Sequence, residues 1–312
     1  MIIENPDQLS GAVLAEIERA ADPRWREIMA AAVRHLHGFV RETQLTEAEF
    51  QRACGLVARL GQLTTASHNE VVLAAGSLGL SALVCLLNNG GGEATTANLL
   101  GPFWRAGAPR VEQGGSIVRS PTPGLPIFVT AWVRDRAGHG VEGAEVDVWH
   151  SSAEGYYENQ DPAQADMNLR GKLFTDARGR IAFRSVKPAG YPIPVHGPVG
   201  DLLRAQGRHN LRPAHIHFLI NKPGFKTQFS QVYSSDDPNL ETDVQFAVTR
   251  ALVGQYVLHD GEAAPDADVS GPWYSLEHHF VLDRGDDAWP RPPISGKAEG
   301  GRPELTLLER RP

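Results

Sequence analysis

The chain changes character near residue 100, and that change constrains the fold more than any other feature. Before it, apolar residues recur at helical spacing; after it, they shorten into strand-length runs broken by proline and glycine. In the first part, Asp22-Pro23 reads as an N-cap followed by proline at the first helical position. Trp25, Ile28, Met29, Ala32, Val33 and Leu36 then repeat with the helical period. Thr46 and Glu49 form a capping-box pattern, and Ser67 and Glu70 repeat it before the nearly apolar run Val71–Leu87. Asn89-Gly90-Gly91-Gly92 is expected to end that run. In the second part the clearest strand runs are 126–133, 144–149, 180–186, 214–220, 227–233 and 276–282, with turn signals at Asp135–Gly140 and Asp176–Gly179. Segment 155–175 has few strand signals and is expected to be a long loop. Thr242–Val253 is expected to be one appended helix. The tail after Pro290 is expected to lie over the surface or on a partner subunit. The expectation is an α+β chain, with a helical N-terminal domain over 1–100 and a mainly antiparallel β-sandwich over 101–312.

Charge and cysteine usage narrow the function. The net charge of −7, with no basic run, argues against nucleic-acid binding. The Val71–Leu87 run is short and carries Gly76, Ser77, Gly79 and Ser81, so a buried helix is expected, not membrane insertion. The opening MIIENPDQLS lacks the basic and apolar regions of a signal peptide. Only Cys54 and Cys85 are present, which excludes a cysteine-based zinc site and fits a reduced, cytoplasmic location.

Three phrases carry chemistry: VDVWHSSAEGYY (146–157), KPAGYPIP (187–194) and LRPAHIHFLI (211–220). Side chains alternate along a strand, so His215 and His217 point the same way while Ile216 and Phe218 face the opposite layer. Two imidazoles about 7 Å apart, at roughly 3.4 Å per residue, can converge on one ion. A bare His-x-His is more often a pair on a solvated strand face. Tyrosines in the two upstream phrases favour the metal reading. A phenolate is a hard anionic donor, and mixed phenolate and imidazole ligands suit ferric iron.

These phrases resemble the intradiol ring-cleavage dioxygenases, the group that acts on catechol, chlorocatechols and hydroxyquinol. The resemblance runs from about Leu45 to Gly261. It includes LLGPFWRAGAP (99–109), TDARGRIAFRSVKPAGYPIP (175–194), GPVGDLLRAQGRHNLRPAHIHF (197–218) and FKTQ (225–228). It implies an Fe(III) cofactor held by Tyr157, Tyr191, His215 and His217. Tyr156 is the adjacent competitor, but the G-x-Y spacing from Gly155 lands on Tyr157. It also implies that Tyr191 is a displaceable ligand and base, and that Tyr157 stays. Arg212 would lie beside the substrate ring, and Gln228 behind the ligand set. The substrate pocket would be built from Leu73, Gly76, Leu99, Leu100, Gly101, Pro102, Phe103, Ile193 and Pro194. The reaction implied is cleavage of an aromatic ring between adjacent hydroxyls, with both atoms of O₂ entering the product.

The GYPIP-x-x-GPVGDLL form is closest to the hydroxyquinol and chlorocatechol subgroups. Gly76 departs from the aspartate common in the hydroxyquinol subgroup, and is expected to leave space and remove charge. His196 stands where the family usually has aspartate. The resemblance further implies a homodimer through the N-terminal helices, with lipid possible there; Trp25, Ile28, Leu36 and Phe50 supply that interface or an ordinary core. A non-catalytic β-sandwich binding domain is one alternative. Another is a zinc or Fe(II) site of His215, His217 and a carboxylate, with Asp147 or Glu154 as the third ligand.

Overall fold

The computed structural model describes residues 2–89 and 95–310. The chain divides into two compact units, with the boundary at Ala58 and Arg59. The first holds α1 (Pro6–Ile17), α2 (Pro23–Thr43) and most of α3 (Glu47–Gln62). Its caps follow the sequence signals. The Asp22 carboxylate accepts from the Arg24 and Trp25 amides, and Thr46 and Glu49 cap each other reciprocally. Within α1 and α2 only Ala30 is buried, so Trp25, Ile28 and Leu36 are exposed, not ordinary core; Phe50 on α3 is exposed too.

The second unit begins with the run expected to be one helix, and two helices are found. These are α4 (Glu70–Ser77) and α5 (Leu80–Asn89), bent by 73°. Gly79 makes the break with φ +73°, a left-handed conformation that glycine adopts without cost. The N-cap is Asn69, not Ser67; its Oδ1 accepts from the Val72 amide. Glu70 is buried instead, bonded to His68 and to the Val199 amide. The glycines beyond Asn89 lie outside the described residues. Among the described residues no single helix is long and apolar enough to cross a membrane.

The remainder is a sandwich. Its strands are β1 (Pro126–Asp135), β2 (Glu145–His150), β3 (Arg170–Phe174), β4 (Arg180–Val186), β5 (Tyr191–Pro192), β6 (Leu211–Arg212), β7 (His215–Asn221), β8 (Gln228–Ser234), β9 (Val253–Gly254), β10 (Tyr256–His259) and β11 (Trp273–Leu282). Helix α6 (Pro198–Ala205) lies between β5 and β6 in the chain. One sheet has the order β10-β11-β1-β4 and the other β3-β2-β7-β8-β9, while β5 and β6 form a separate ribbon. Most pairs are antiparallel; β1–β11 and β8–β9 are parallel.

The core between the sheets fixes the register of the site. Val146 and Val148 of β2, and Ile216, Phe218 and Ile220 of β7, point into it and meet Val129, Phe183 and Phe280. Burying each large apolar side chain is worth about 1.5–3 kcal/mol. A one-residue slip of β7 would exchange those three for His215, His217 and Leu219. The apolar layer therefore holds the two histidines on the opposite face.

Two further expectations about secondary structure fail, and the tail takes one of its two expected places. Segment 155–175 is not one loop, because residues 170–174 form β3, paired with β2. Its first residue, Arg170, is buried and bonded to Glu158 and Asn159, which no strand propensity reveals. Thr242–Val253 is not a helix; it holds turns and a 3₁₀ turn at Arg250–Leu252. The Asp243 carboxylate accepts from the Gln245 and Ala247 amides and so competes with helical bonding. The tail after Pro290 lies on this chain, with Ile294 buried and the amides of Ser295, Ala298 and Leu308 bonded to Ala66, Asn159 and Asn210.

Candidate metal centre

Tyr157, Tyr191, His215 and His217 converge. The Tyr157 Oη lies 3.3 Å from the Tyr191 Oη, 3.3 Å from the His215 Nε2 and 3.0 Å from the His217 Nε2. The two Nε2 atoms are 3.1 Å apart. All four residues are buried. Tyr156 is not part of this group; its hydroxyl donates to the Pro303 carbonyl.

Each side chain is placed by a distinct device. His217 stacks on Trp149 of β2, with ring centroids 4.4 Å apart. The His215 Nδ1 donates to the Pro213 carbonyl at 2.7 Å, which leaves its Nε2 as a bare acceptor. Tyr157 follows a loop whose next residue, Glu158, is clamped by Arg105 and Arg170. Tyr191 pairs directly with Arg212 across the β5–β6 ribbon. Gly101 approaches His217 closely: a Cβ there would meet the His217 Cε1 at 3.4 Å, and its φ of +76° suits glycine.

The donors fit a metal ion. Around a cation with bonds of about 2.0–2.1 Å, as for imidazole on a first-row metal, neighbouring donors sit roughly 3.0–3.4 Å apart. Burial holds both histidines well below the usual imidazole range, with His215 and Arg212 adding to this at His217 and Arg212 at His215. They are therefore neutral, as metal ligands must be. Burial also raises both phenols, at Tyr157 further through its neighbour Tyr191. Ionising them in this apolar setting requires a cation, and a bound metal inverts the balance. The alternative of two histidines and a carboxylate is not met. Among the described residues no group of three or more His, Cys, Asp and Glu could hold a metal. Asp147 is bonded to the Trp104 indole, and Glu154 to Arg302.

Arg212 sits against this group, its Nη1 3.4 Å from the His215 Nε2. Asp243 grips it through the Nε and Nη2, at 3.0 and 3.2 Å, and Gln231 and Tyr233 bond the Nη2. Burial alone would lower its pKa; Asp243, with Tyr233 and Tyr191, outweighs burial and the net shift is upward.

Gln228 is not behind the donors. Its amide bonds to the carbonyls of Thr95 and Phe229. The glutamine at the centre is Gln231, paired with His217 across β7–β8, just as Tyr233 pairs with His215. Gln228 lies three residues from Gln231, so strand alternation turns it to the other face. Gln231, Tyr233, Asp243 and Trp149 are the residues that sequence reasoning missed. The strand period offered a signal only for the first two, and only once the register was known.

The expected pocket residues gather around the tyrosines. Leu73, Phe103 and Ile193 form one apolar cluster with Tyr157, Tyr191 and Trp149, and Leu100 packs against it. The Phe103 ring lies 4.6 Å from that of Tyr157. Pro102 is buried beside Phe103. Leu99 packs on Tyr233, and its carbonyl accepts from the Gln231 amide. A cavity of about 570 Å³ opens beside Phe103, Ile193 and Pro194, under Pro303 and Leu305 of the tail. Gly76 does not leave empty space. A Cβ there would meet the Gln245 Cδ and Oε1 at 2.8 Å, so the Gln245 side chain already fills the position.

Comparison with known proteins agrees with this centre. The family described as "Dioxygenase" matches residues 99–283, and "Catechol dioxygenase N terminus" matches 22–96. A hydroxyquinol 1,2-dioxygenase of Rhizobium sp. is 38% identical over 279 residues, covering 87% of this chain and 93% of the relative. The chain belongs to the intradiol ring-cleavage dioxygenase family. A 6-chlorohydroxyquinol 1,2-dioxygenase of Cupriavidus pinatubonensis is 37% identical, covering 88% of this chain and 96% of that protein. Among solved structures, a hydroxyquinol 1,2-dioxygenase from Pseudomonas putida superposes with TM-score 0.80 at 34% identity, covering 90% and 99% of the two chains. Catechol 1,2-dioxygenase from Pseudomonas arvilla gives TM-score 0.80 at 30% identity, covering 94% and 97%. As an intradiol dioxygenase this chain is an enzyme, and the binding-domain alternative is set aside. The family is iron-dependent, and the four convergent donors are where this chain can hold such an ion.

Proposed function

We propose that this enzyme opens the ring of hydroxyquinol or a substituted catechol between adjacent hydroxyls, inserting both atoms of O₂ to give a muconate- or maleylacetate-type diacid. The observation that carries this reading is the meeting of two buried phenols and two neutral imidazoles, with the Tyr157 Oη within 3.3 Å of the other three donor atoms and the two Nε2 atoms 3.1 Å apart. Tyr157, Tyr191, His215 and His217 would hold Fe(III). When bound, that ion supplies the electron-withdrawing centre that makes a catecholate reactive toward O₂.

The chain's own residues do the rest. A catechol hydroxyl, like tyrosine, has a pKa near 10, so substrate needs a base to bind as a dianion. Tyr191 takes one of its protons at Oη, because it is the tyrosine next to Arg212, whose charge favours phenolate on either partner. Tyr157 keeps its place, fixed by Glu158 between Arg105 and Arg170. Arg212 faces the donors with a permanent positive charge and stabilises negative charge on the bound ring. Gln231 and Tyr233 hold that guanidinium at its Nη2, the nitrogen that also bonds Asp243. Leu73, Phe103 and Ile193 enclose the ring and exclude water. Catechol 1,2-dioxygenase activity proper is the alternative specificity.

Two features of the reading extend beyond the site. The exposed Trp25, Ile28, Leu36 and Phe50 support a homodimer through the N-terminal helices, with lipid on the same apolar surface. The paucity of cysteine supports a cytoplasmic location. The test is the visible spectrum of iron-loaded protein, together with oxygen uptake on catechol, 4-chlorocatechol, methylcatechols and hydroxyquinol. A tyrosinate-to-Fe(III) band that shifts when substrate is added is expected. Colourless protein with full iron content would reject phenolate ligation.

A further inference from the structure

Arg170 is a buried cation that the proposed chemistry uses only as a clamp on Glu158, and the clamp leaves part of it idle. Its Nε donates to the Glu158 Oε1 at 2.7 Å and its Nη2 to the Asn159 Oδ1 at 3.0 Å. Its Nη1 is buried and, among the described residues, has no hydrogen-bond partner. The charge is short of partners too. The same Glu158 oxygen also accepts from Arg105, at 2.8 Å, while Asp166, the other carboxylate on Arg105, is mostly exposed. Two buried guanidiniums therefore share one buried carboxylate. Burial lowers the Arg170 pKa against the pull of Glu158, as befits a cation with too little negative charge around it. A buried charge is costly without a partner, so the surplus calls for further negative charge nearby.

The sheet places this cation next to the supports of the four donors. Arg170 of β3 pairs with Trp149 of β2, Trp149 with His217 of β7, and His217 with Gln231 of β8. Directly paired residues share a face, so these four side chains form one row across the sheet. Within it the Trp149 and His217 rings stack nearly parallel, at 10°. Arg170 and His217 stand two strands apart, roughly 9.5 Å at about 4.7–4.9 Å per strand. The groups that bond Arg170, Glu158 and Asn159, are the two residues that follow Tyr157. Burial and then Tyr191 raise the Tyr157 phenol, and the charges of Arg212 and Arg170 oppose them.

We infer that Arg170 is a positioning residue for the metal centre: its fixed charge, held across Trp149 from His217 and against the loop of Tyr157, makes a ferric ion in the four-donor site a stronger electron acceptor. A nearby cation favours whichever state of the centre is more negative, and that is the reduced one. Arg212 sits against Tyr191 and His215. Arg170 serves Tyr157 and His217 from one layer further out. A guanidinium keeps its charge at any working pH, so the bias is permanent. This inference rests on the reading of Tyr157, Tyr191, His215 and His217 as iron ligands.

The experiment is the Fe(III)/Fe(II) midpoint potential of iron-loaded wild type, Arg170→Met, Arg170→Lys and Glu158→Gln, followed on the visible tyrosinate band. Methionine removes the charge and lysine keeps it. Glutamine removes the opposing charge with little change of shape. A unit charge about 10 Å away, at an effective dielectric constant of about 20, changes an equilibrium about tenfold. The ratio of ferric to ferrous affinity is therefore expected to rise about tenfold in Arg170→Met, a fall of about 59 mV in midpoint. Arg170→Lys should stay near wild type, and Glu158→Gln should move the other way. A merely structural clamp predicts that Arg170→Met and Glu158→Gln shift in the same direction, since both loosen it; that result overturns the proposal. So does a lysine variant that behaves like methionine. If Arg170→Met does not fold with iron, Arg170→Lys and Glu158→Gln decide by the same signs. Wild type that holds iron without a tyrosinate band rejects the ligand reading and this inference with it. A normal band with equal potentials in all four proteins rejects the role of Arg170 alone.

Discussion

Asp243→Asn should both destabilise the protein and weaken its metal centre. The Asp243 carboxylate accepts four hydrogen bonds: from the Arg212 Nε and Nη2, and from the amides of Gln245 and Ala247. An asparagine oxygen can keep two of them, but its nitrogen is a donor and must face two donors. The charge of Arg212, which is about 1% exposed, would then have only neutral partners, Gln231 and Tyr233 among them. Breaking a buried ion pair on one side costs about 3–5 kcal/mol. At about 2–4 °C per kcal/mol for a unit of this size, Tm should fall by roughly 6–20 °C. Arg212→Met should be comparably damaging, because it strands the carboxylate. The double variant removes both charges and should be less unstable than the sum of the two by about 2 kcal/mol or more. Iron content should also fall in Asp243→Asn, since an uncompensated cation would stand 3.4 Å from the His215 Nε2. Calorimetry and metal analysis on the four proteins provide the assay. A Tm within about 2 °C of wild type for Asp243→Asn, or strict additivity in the cycle, would refute the reasoning.

Three further outcomes are expected. Tyr157→Phe should lose most of its iron, whereas Tyr191→Phe should keep more iron and lose turnover; metal analysis beside oxygen uptake checks this, and equal iron loss would remove the distinction between the two tyrosines. Gly76→Ala should cost about 1–3 kcal/mol by overpacking, since its methyl would lie 2.8 Å from the Gln245 amide, and Gln245→Ala should relieve that cost in a double-mutant melt. The pH dependence of metal-free protein should carry a contribution from His150, which burial pulls from 6.5 down to about 4. A depressed histidine gives stability that is fully present above 6.5 and is lost as pH falls toward 4, because only the unfolded chain takes up the proton. The contribution is about 3 kcal/mol at most. His150→Gln should flatten the decline in stability between pH 7 and pH 4.5, and an unchanged slope would exclude the role.

What the sequence made legible follows the strand period. His215 and His217 share a face because Ile216 and Phe218 are claimed by the sandwich core, and that alternation is visible in seven letters. Tyr157 and Tyr191 were legible only as parts of phrases, since neither belongs to a long periodic run. Gln231 was not legible because its place depends on pairing with His217 across β7–β8, and register is a tertiary property. Gln228 sits in the matched phrase FKTQ but faces away. Asp243 and Gln245 lay in a stretch with helical spacing. The structure gives the carboxylate to Arg212 and to two backbone amides, and the helix does not form. Gly76 could be seen as a missing side chain, but the residue that fills its space is 169 positions away.

The account stands most directly on where the oxygen goes. Iron-loaded enzyme should be given hydroxyquinol and catechol under isotopically labelled dioxygen, and the products resolved by mass spectrometry. The account predicts a ring-opened diacid carrying both labelled atoms, formed by cleavage between the adjacent hydroxyls. A semialdehyde from cleavage beside the diol, a product with a single labelled atom, or no oxygen uptake by protein with full iron would contradict it.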